Sequence, residues 1–217
     1  MHLNNKKNTI HFFGDSFTYG DGCRSGFEYY KTQPMDIINL WPNIVASNLD
    51  MNVNNKGVSG NSNSAIFRSV VNELSNINSG DVVVIGKSDS SRFELSINNQ
   101  MNNFLVGLDY NSLDRYDKKI NNLIKLYERY IQVPNYEFLD DELNSQFKNI
   151  ISILNRLEVH TIKWCYHDLY INSDVLDFSL YEKIKEASDG KIEDYHFSWK
   201  GHLDFSNTIL KHIKYEL

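Results

Sequence analysis

A chain of 217 residues, 41% hydrophobic and 13% aromatic, can bury one sizeable core, and a single domain over 1–217 is expected. Lysine and arginine number 22 against 28 aspartates and glutamates, and the net charge of −6 argues against nucleic acid or an anionic membrane surface as the main partner. With 3 prolines, 11 glycines and 23% charged residues, the composition is that of neither a disordered nor a collagenous chain, and the scattered asparagines read as compositional bias.

Cys23 and Cys165 are far apart and form no CxxC pair, so neither a disulfide framework nor a zinc site of known spacing is indicated, and reduced thiols are expected. Lys6 and Lys7 precede only the short apolar segment Thr9 to Phe13, which is no signal peptide. No run of about 18 apolar residues is present to span a bilayer. The expectation is a soluble cytoplasmic protein of a cell, or of a virus that infects one.

Thr9 to Phe13 is short, apolar and rich in strand formers, and it stops at a Gly-Asp-Ser turn as a buried central strand does. Asp36 to Leu49 has helical spacing, with Pro42 either starting a helix or kinking a longer one. Met51 to Asn55 reads as a second strand, leading into the small-residue loop Gly57 to Ser64. Ile66, Val70, Val71 and Leu74 mark the next helix. Asp81 to Gly86, continuously apolar and β-branched, fits a strand covered on both faces.

Strand, helix, strand, helix, strand implies right-handed crossovers and a parallel sheet. Asp89 to Asp117 reads as loop and short helix forming part of a rim or lid. Helices are expected over Lys119 to Tyr130 and Tyr136 to Leu157, separated by Pro134. Val159 to Tyr166 reads as a fourth strand ending in His167-Asp168, where open α/β sheets place ligands. Helices over Ser179 to Ala187 and Gly201 to Tyr215 complete the chain.

In Gly14-Asp15-Ser16, a serine occupies the first turn after an apolar strand, where its hydroxyl faces the carboxyl edge of the sheet and nearby backbone N–H groups point at a developing oxyanion. Taken alone, the same tripeptide also fits a tight turn with Ser16 as helix N-cap. Near the other end, Glu193-Asp194-Tyr195-His196 places two acids shortly before a histidine. A serine needs a base to become a nucleophile, and an imidazole needs a hydrogen-bonded partner to fix its tautomer.

With these segments the chain resembles an SGNH hydrolase of the GDSL type, whose four sequence blocks are approximated in order and spacing from about Ile10 to His202. The resemblance implies a three-layer α/β/α sandwich on a parallel four- or five-stranded, flavodoxin-like sheet. It makes Ser16 the nucleophile and first oxyanion donor through its backbone N–H, Gly60 the second donor, and His196 the base.

Two positions depart from the pattern. In Gly86-Lys87-Ser88-Asp89 the family has Gly-x-Asn-Asp, so Ser88 stands where the third oxyanion donor, an asparagine, is expected; Asn61 or Asn63 are the alternative amides. Gly-x-Ser followed by Ser91-Arg92-Phe93-Glu94 also resembles phage-associated members. Glu193 occupies the position of the family's aspartate, so either Asp194 or Glu193 orients His196, with a slight preference for Asp194; otherwise both are solvated and a Ser-His dyad operates.

Asn61 and Arg92 are the candidate substrate-binding side chains, Arg92 and Glu94 being equally readable as a surface pair. His202 reads as structural. His160, Cys165 and His167 offer no firm fourth ligand for a metal and read as core and rim residues. The expected activity is hydrolysis of a small acyl ester, acetyl on a carbohydrate above others, without metal or organic cofactor. An O-acyltransferase using the same nucleophile, and a decayed glycan-binding module, are the alternatives. Fold alone does not choose among them, and the sequence is silent on oligomeric state.

Overall fold

The computed structural model describes residues 7–20, 39–89, 91–97, 99–105, 118–132, 136–165, 178–179, 196–197 and 199–216. A five-stranded parallel sheet is built from β1 (Thr9–Phe13), β2 (Asn52–Asn55), β3 (Val82–Lys87), β6 (His160–Cys165) and the two-residue β7 (Phe178–Ser179). Its order, β2-β1-β3-β6-β7, is flavodoxin-like, with the direction of winding reversing between β1 and β3.

Period-two alternation along the central strands sends successive side chains into two separate cores. Ile10, Phe12, Val82, Val84, Ile162 and Trp164 pack on one face with Trp41 and Val45 of α2 (Trp41–Asn48) and Phe205 and Ile209 of the C-terminal helix α6 (Trp199–Glu216). Phe13, Val83 and Ile85 pack on the other face with Ile66 and Val70 of α3 (Asn63–Glu73) and Phe147 and Leu154 of α5 (Tyr136–Arg156). The sheet is thus the middle layer of an α/β/α sandwich, its central strands β1 and β3 buried between the two cores. Pro42 lies in the first turn of α2, where its missing N–H costs nothing, so the described part of that periodic stretch becomes helical only at Trp41.

The rim is different from the sequence expectation of loop and short helix. Arg92–Ile97 and Gln100–Leu105 form an antiparallel hairpin, β4 and β5, outside the main sheet. Phe93, Leu95 and Ile97 alternate with polar residues, a two-residue period short enough to be mistaken for irregular chain. Asn99, at φ +62°, sits in the tight connection, which asparagine enters more readily than most residues. Phe93, Ile97 and Phe104 form a third, small core with Ile124 of α4 (Lys118–Gln132). Ser179 is in a strand, not at the start of a helix, and the remainder of the expected Ser179 to Ala187 helix lies outside the described residues. No described helix is long and apolar enough to cross a membrane.

Candidate active site

Three loops leave the carboxyl ends of β1, β2 and β3 and meet at the reversal of winding. The first carries Ser16 at the start of α1 (Ser16–Tyr19), a single helical turn. So short a helix has no cooperative stability of its own and must be held from outside. Asp15, not Ser16, is its N-cap, accepting a hydrogen bond from the Phe17 N–H at 3.1 Å; Gly20 closes the other end at φ +95°. The indole Nε1 of Trp41 donates to the Phe17 carbonyl at 2.9 Å, and Asn55 Nδ2 donates to the Thr18 carbonyl at 2.9 Å.

Ser16 is buried, and its Oγ has no hydrogen-bond partner among the described residues. A buried hydroxyl left unsatisfied costs stability, and such groups cluster where chemistry uses them.

His196 is brought to this turn from the far end of the sequence, its ring centroid 4.9 Å from that of Phe17, the residue after Ser16. Phe197 also packs against Phe17, edge to face at 5.4 Å between centroids. Glu193 and Asp194 lie outside the described residues, as do Cys23 and His167.

The second loop approaches the first backbone to backbone. The Val58 N–H donates to the Gly14 carbonyl at 3.2 Å. A Cβ on Gly57 would lie 2.5 Å from the Tyr19 nitrogen and 2.7 Å from the Thr18 carbonyl carbon, so only glycine permits this approach. Gly60 has φ +77°, while the space where its Cβ would stand is open. Asn61 Nδ2 donates to the Gly14 carbonyl at 3.3 Å, tying the loop to the Ser16 turn. Ser62 caps α3 by accepting from the Ala65 N–H.

The third loop gives Ser88 a role other than oxyanion donor. Its Oγ donates to Asp15 Oδ2 at 2.9 Å, and its one proton cannot also serve an oxyanion. Asn63 is bound to the same residue, donating to the Ser88 carbonyl at 2.9 Å and accepting from the Ser88 N–H at 2.8 Å. Of the two alternative amides, that of Asn61 is the one bonded directly to the Ser16 turn, through the Gly14 carbonyl.

Arg92 and Glu94, adjacent on one face of β4, have separate partners. Glu94 takes a bidentate pair from Arg68 of α3 at 2.6 and 2.7 Å. Arg92 instead faces Asp15, its Nη1 4.0 Å from Oδ2. Burial pushes the Asp15 carboxyl above its ordinary range, while Arg92, the Ser88 hydroxyl, the Phe17 N–H and His196 pull it back down.

Asn103 of β5 was not singled out by any motif. Its Oδ1 accepts from the Ser62 N–H at 3.0 Å and its Nδ2 donates to Asn61 Oδ1 at 3.3 Å, so the hairpin clasps the second loop. His202 is fully buried and its Nδ1 accepts from the Trp41 N–H at 3.2 Å, a structural position. Cys165 lies in the second core, and among the described residues no three His, Cys, Asp or Glu side chains are grouped to hold a metal.

A serine turn after β1, a glycine loop after β2 and a histidine before the last helix, on a parallel sheet of order β2-β1-β3-β6-β7, define the SGNH-hydrolase fold, and the chain has that fold. It superposes on the protein TesA with a TM-score of 0.56 at 12% identity, covering 97% of this chain and 100% of that one. An acetyl xylan esterase from the rumen bacterium Butyrivibrio proteoclasticus matches with a TM-score of 0.53 at 12% identity, over 96% of this chain and 64% of the esterase. A GDSL-like lipase from Bacteroides thetaiotaomicron matches with a TM-score of 0.50 at 10% identity, over 97% and 89%. Neither a protein-family model nor a curated protein sequence matches the chain.

Proposed function

We propose that the protein is a serine ester hydrolase acting on a small acyl ester, acetyl on a carbohydrate above others. The observation that carries this reading is the unpartnered, buried Ser16 Oγ in a turn against which His196 is packed. In the reaction Ser16 Oγ attacks the acyl carbonyl carbon and its proton passes to His196. The backbone N–H groups of Ser16 and Gly60 receive the oxyanion, with the Asn61 amide as the third donor in place of Ser88. Collapse of the tetrahedral adduct expels the alcohol, which takes the proton from His196. Water then attacks the acyl-enzyme, loses a proton to His196, and releases the carboxylic acid with Ser16 regenerated. Asp194 or Glu193 orients the imidazole.

The ionic frame of Asp15, Ser88 and Arg92 supports this chemistry without entering it. The Asp15 carboxylate accepts from the N–H beyond Ser16 and thereby fixes the direction of the turn. The test is covalent labelling with a fluorophosphonate probe, the adduct mapped by mass spectrometry. Labelling at Ser16 that disappears in His196→Ala is the expected result. A folded protein that takes no label at Ser16 would overturn the assignment.

A further inference from the structure

The β4–β5 hairpin does more than clasp the second loop. Together with α3, α4 and α5 it encloses a cleft of about 450 Å³ within the size range of small-molecule sites. Two of its lining residues tie it to the serine turn and the glycine loop. Arg92 lines the cleft and also stands 4.0 Å from Asp15, the residue before Ser16. Ser64 lines it from the first turn of α3, directly after the Gly60–Asn63 segment.

The lining decides the chemistry of an occupant. The lining mixes the apolar Phe93, Met101 and Leu143 with Arg92, Glu142 and the closed Arg68–Glu94 pair, and an acyl chain filling it would have to strip water from Arg92 and Glu142. An ionic ligand finds no surplus of charge to answer it, since two guanidiniums face two carboxylates. With Arg68 and Glu94 closed on each other, the Arg92 guanidinium, the Glu142 carboxylate and the Gln146 amide are the planar groups left to hold pairs of neighbouring hydroxyls, each through two parallel hydrogen bonds. Tyr127, packed on Phe93 at 4.8 Å between centroids, offers an aromatic surface to the C–H face of a ring.

We propose that this cleft is a subsite for a neutral saccharide, holding the sugar that bears, or adjoins, the acyl group presented to Ser16. The proposal rests on the ester-hydrolase reading for its purpose and deepens it by assigning the carbohydrate half of the ester to this cleft. The guanidinium of Arg92, shared between the cleft and Asp15, then couples occupancy of the subsite to the geometry of the nucleophile turn.

Binding is tested apart from turnover. Ser16→Ala protein is titrated calorimetrically with neutral xylo-, cello- and chito-oligosaccharides and, for comparison, with an oligogalacturonate. At least one neutral oligosaccharide is expected to bind, more tightly than the charged one. Ser64→Arg, which drives a long side chain into the cleft from an exposed position, should weaken that binding at least tenfold, and Gln146→Ala several-fold.

No neutral saccharide bound, or binding indifferent to both substitutions, overturns the subsite even if Ser16 takes the fluorophosphonate label. Saccharide binding lost in Ser64→Arg upholds it even if Ser16 does not, and would leave a glycan-binding site on a fold without hydrolysis.

Discussion

The serine turn is a place where stability and chemistry pull apart. Ser16 Oγ is buried and makes no hydrogen bond within the described residues, so removing it relieves an unsatisfied polar group. Ser16→Ala should leave the unfolding free energy from urea titration within about 1 kcal/mol of the parent, or raise it, while abolishing the fluorophosphonate adduct. A large loss of stability would show that the hydroxyl is a structural cap. The two loop glycines separate space from torsion in a similar way.

Gly57→Ala forces a Cβ into the backbone of Tyr19 and Thr18, atoms that cannot swing aside, and should cost about 3 kcal/mol. Gly60→Ala meets open space and bears only the left-handed torsion, about 1–2 kcal/mol. Thermal melts of the two variants therefore rank Gly57→Ala as the less stable, with Gly60→Ala losing relatively more activity than stability. The reverse order would mean the loop does not sit against α1 in solution.

At the scale of elements, what was legible in the sequence follows from how local each signal is. β1 and β3 are buried on both faces, so their continuous apolar runs announced them, and Gly14-Asp15-Ser16 announced its turn through backbone requirements that few residues meet. The hairpin was missed because only three apolar residues on β4 carry its period and its core is completed by α4, distant in sequence.

The partners of Ser88 and Arg92 were equally hidden: both converge on Asp15 from other strands, and a residue's chemical type does not reveal which of several neighbours it will meet. Asn103 is the clearest example, being one of many asparagines and distinguished only by its place opposite the Asn61–Ser62 segment. Its two hydrogen bonds link the hairpin to the Asn61–Ser62 segment of the second loop. Asn103→Ala should lower kcat by up to about 10²-fold through a displaced loop, with a smaller change in KM. Loss confined to KM would instead place Asn103 on the substrate, and no change in either would remove the hairpin from the catalytic geometry.

Across the whole molecule, the candidate site lies at the carboxyl edge of the sheet, while the opposite edge holds a buried polar cluster around His11 and Asp81. There His11 Nδ1 accepts from Asn54 Nδ2 at 2.9 Å, an amide whose orientation is set by its second bond to Glu73 at 3.2 Å. The neutral ring therefore carries its proton on Nε2, facing Asp81 Oδ2 at 3.4 Å. A second proton on Nδ1 would confront the Asn54 donor inside the fold.

Burial holds His11 below its ordinary value, as does the charge of Lys56, against the upward pull of Asp81 and Glu73. For Asp81, burial raises the carboxyl, but the Thr9 and Asn78 N–H groups and His11 outweigh it and keep it below its ordinary value. Both shifts have the same sign in the stability balance. Below an ordinary imidazole value of about 6.5 the unfolded chain takes up a proton that folded His11 refuses, so the fold loses stability as pH falls. Below about 4 the unfolded Asp81 carboxylate takes up a proton before the folded one does, and the loss deepens.

Asp15 acts oppositely. Its raised value means the folded chain holds that proton longer, so its contribution fades as pH rises through the folded value and offsets part of the acid loss. The His11 contribution to the urea midpoint should accordingly fall between pH 7 and pH 5, and the slope over that interval should shrink in His11→Gln, which keeps a polar side chain beside Asp81 without an imidazole to titrate. An equal slope in parent and variant would assign the acid sensitivity to groups other than this cluster.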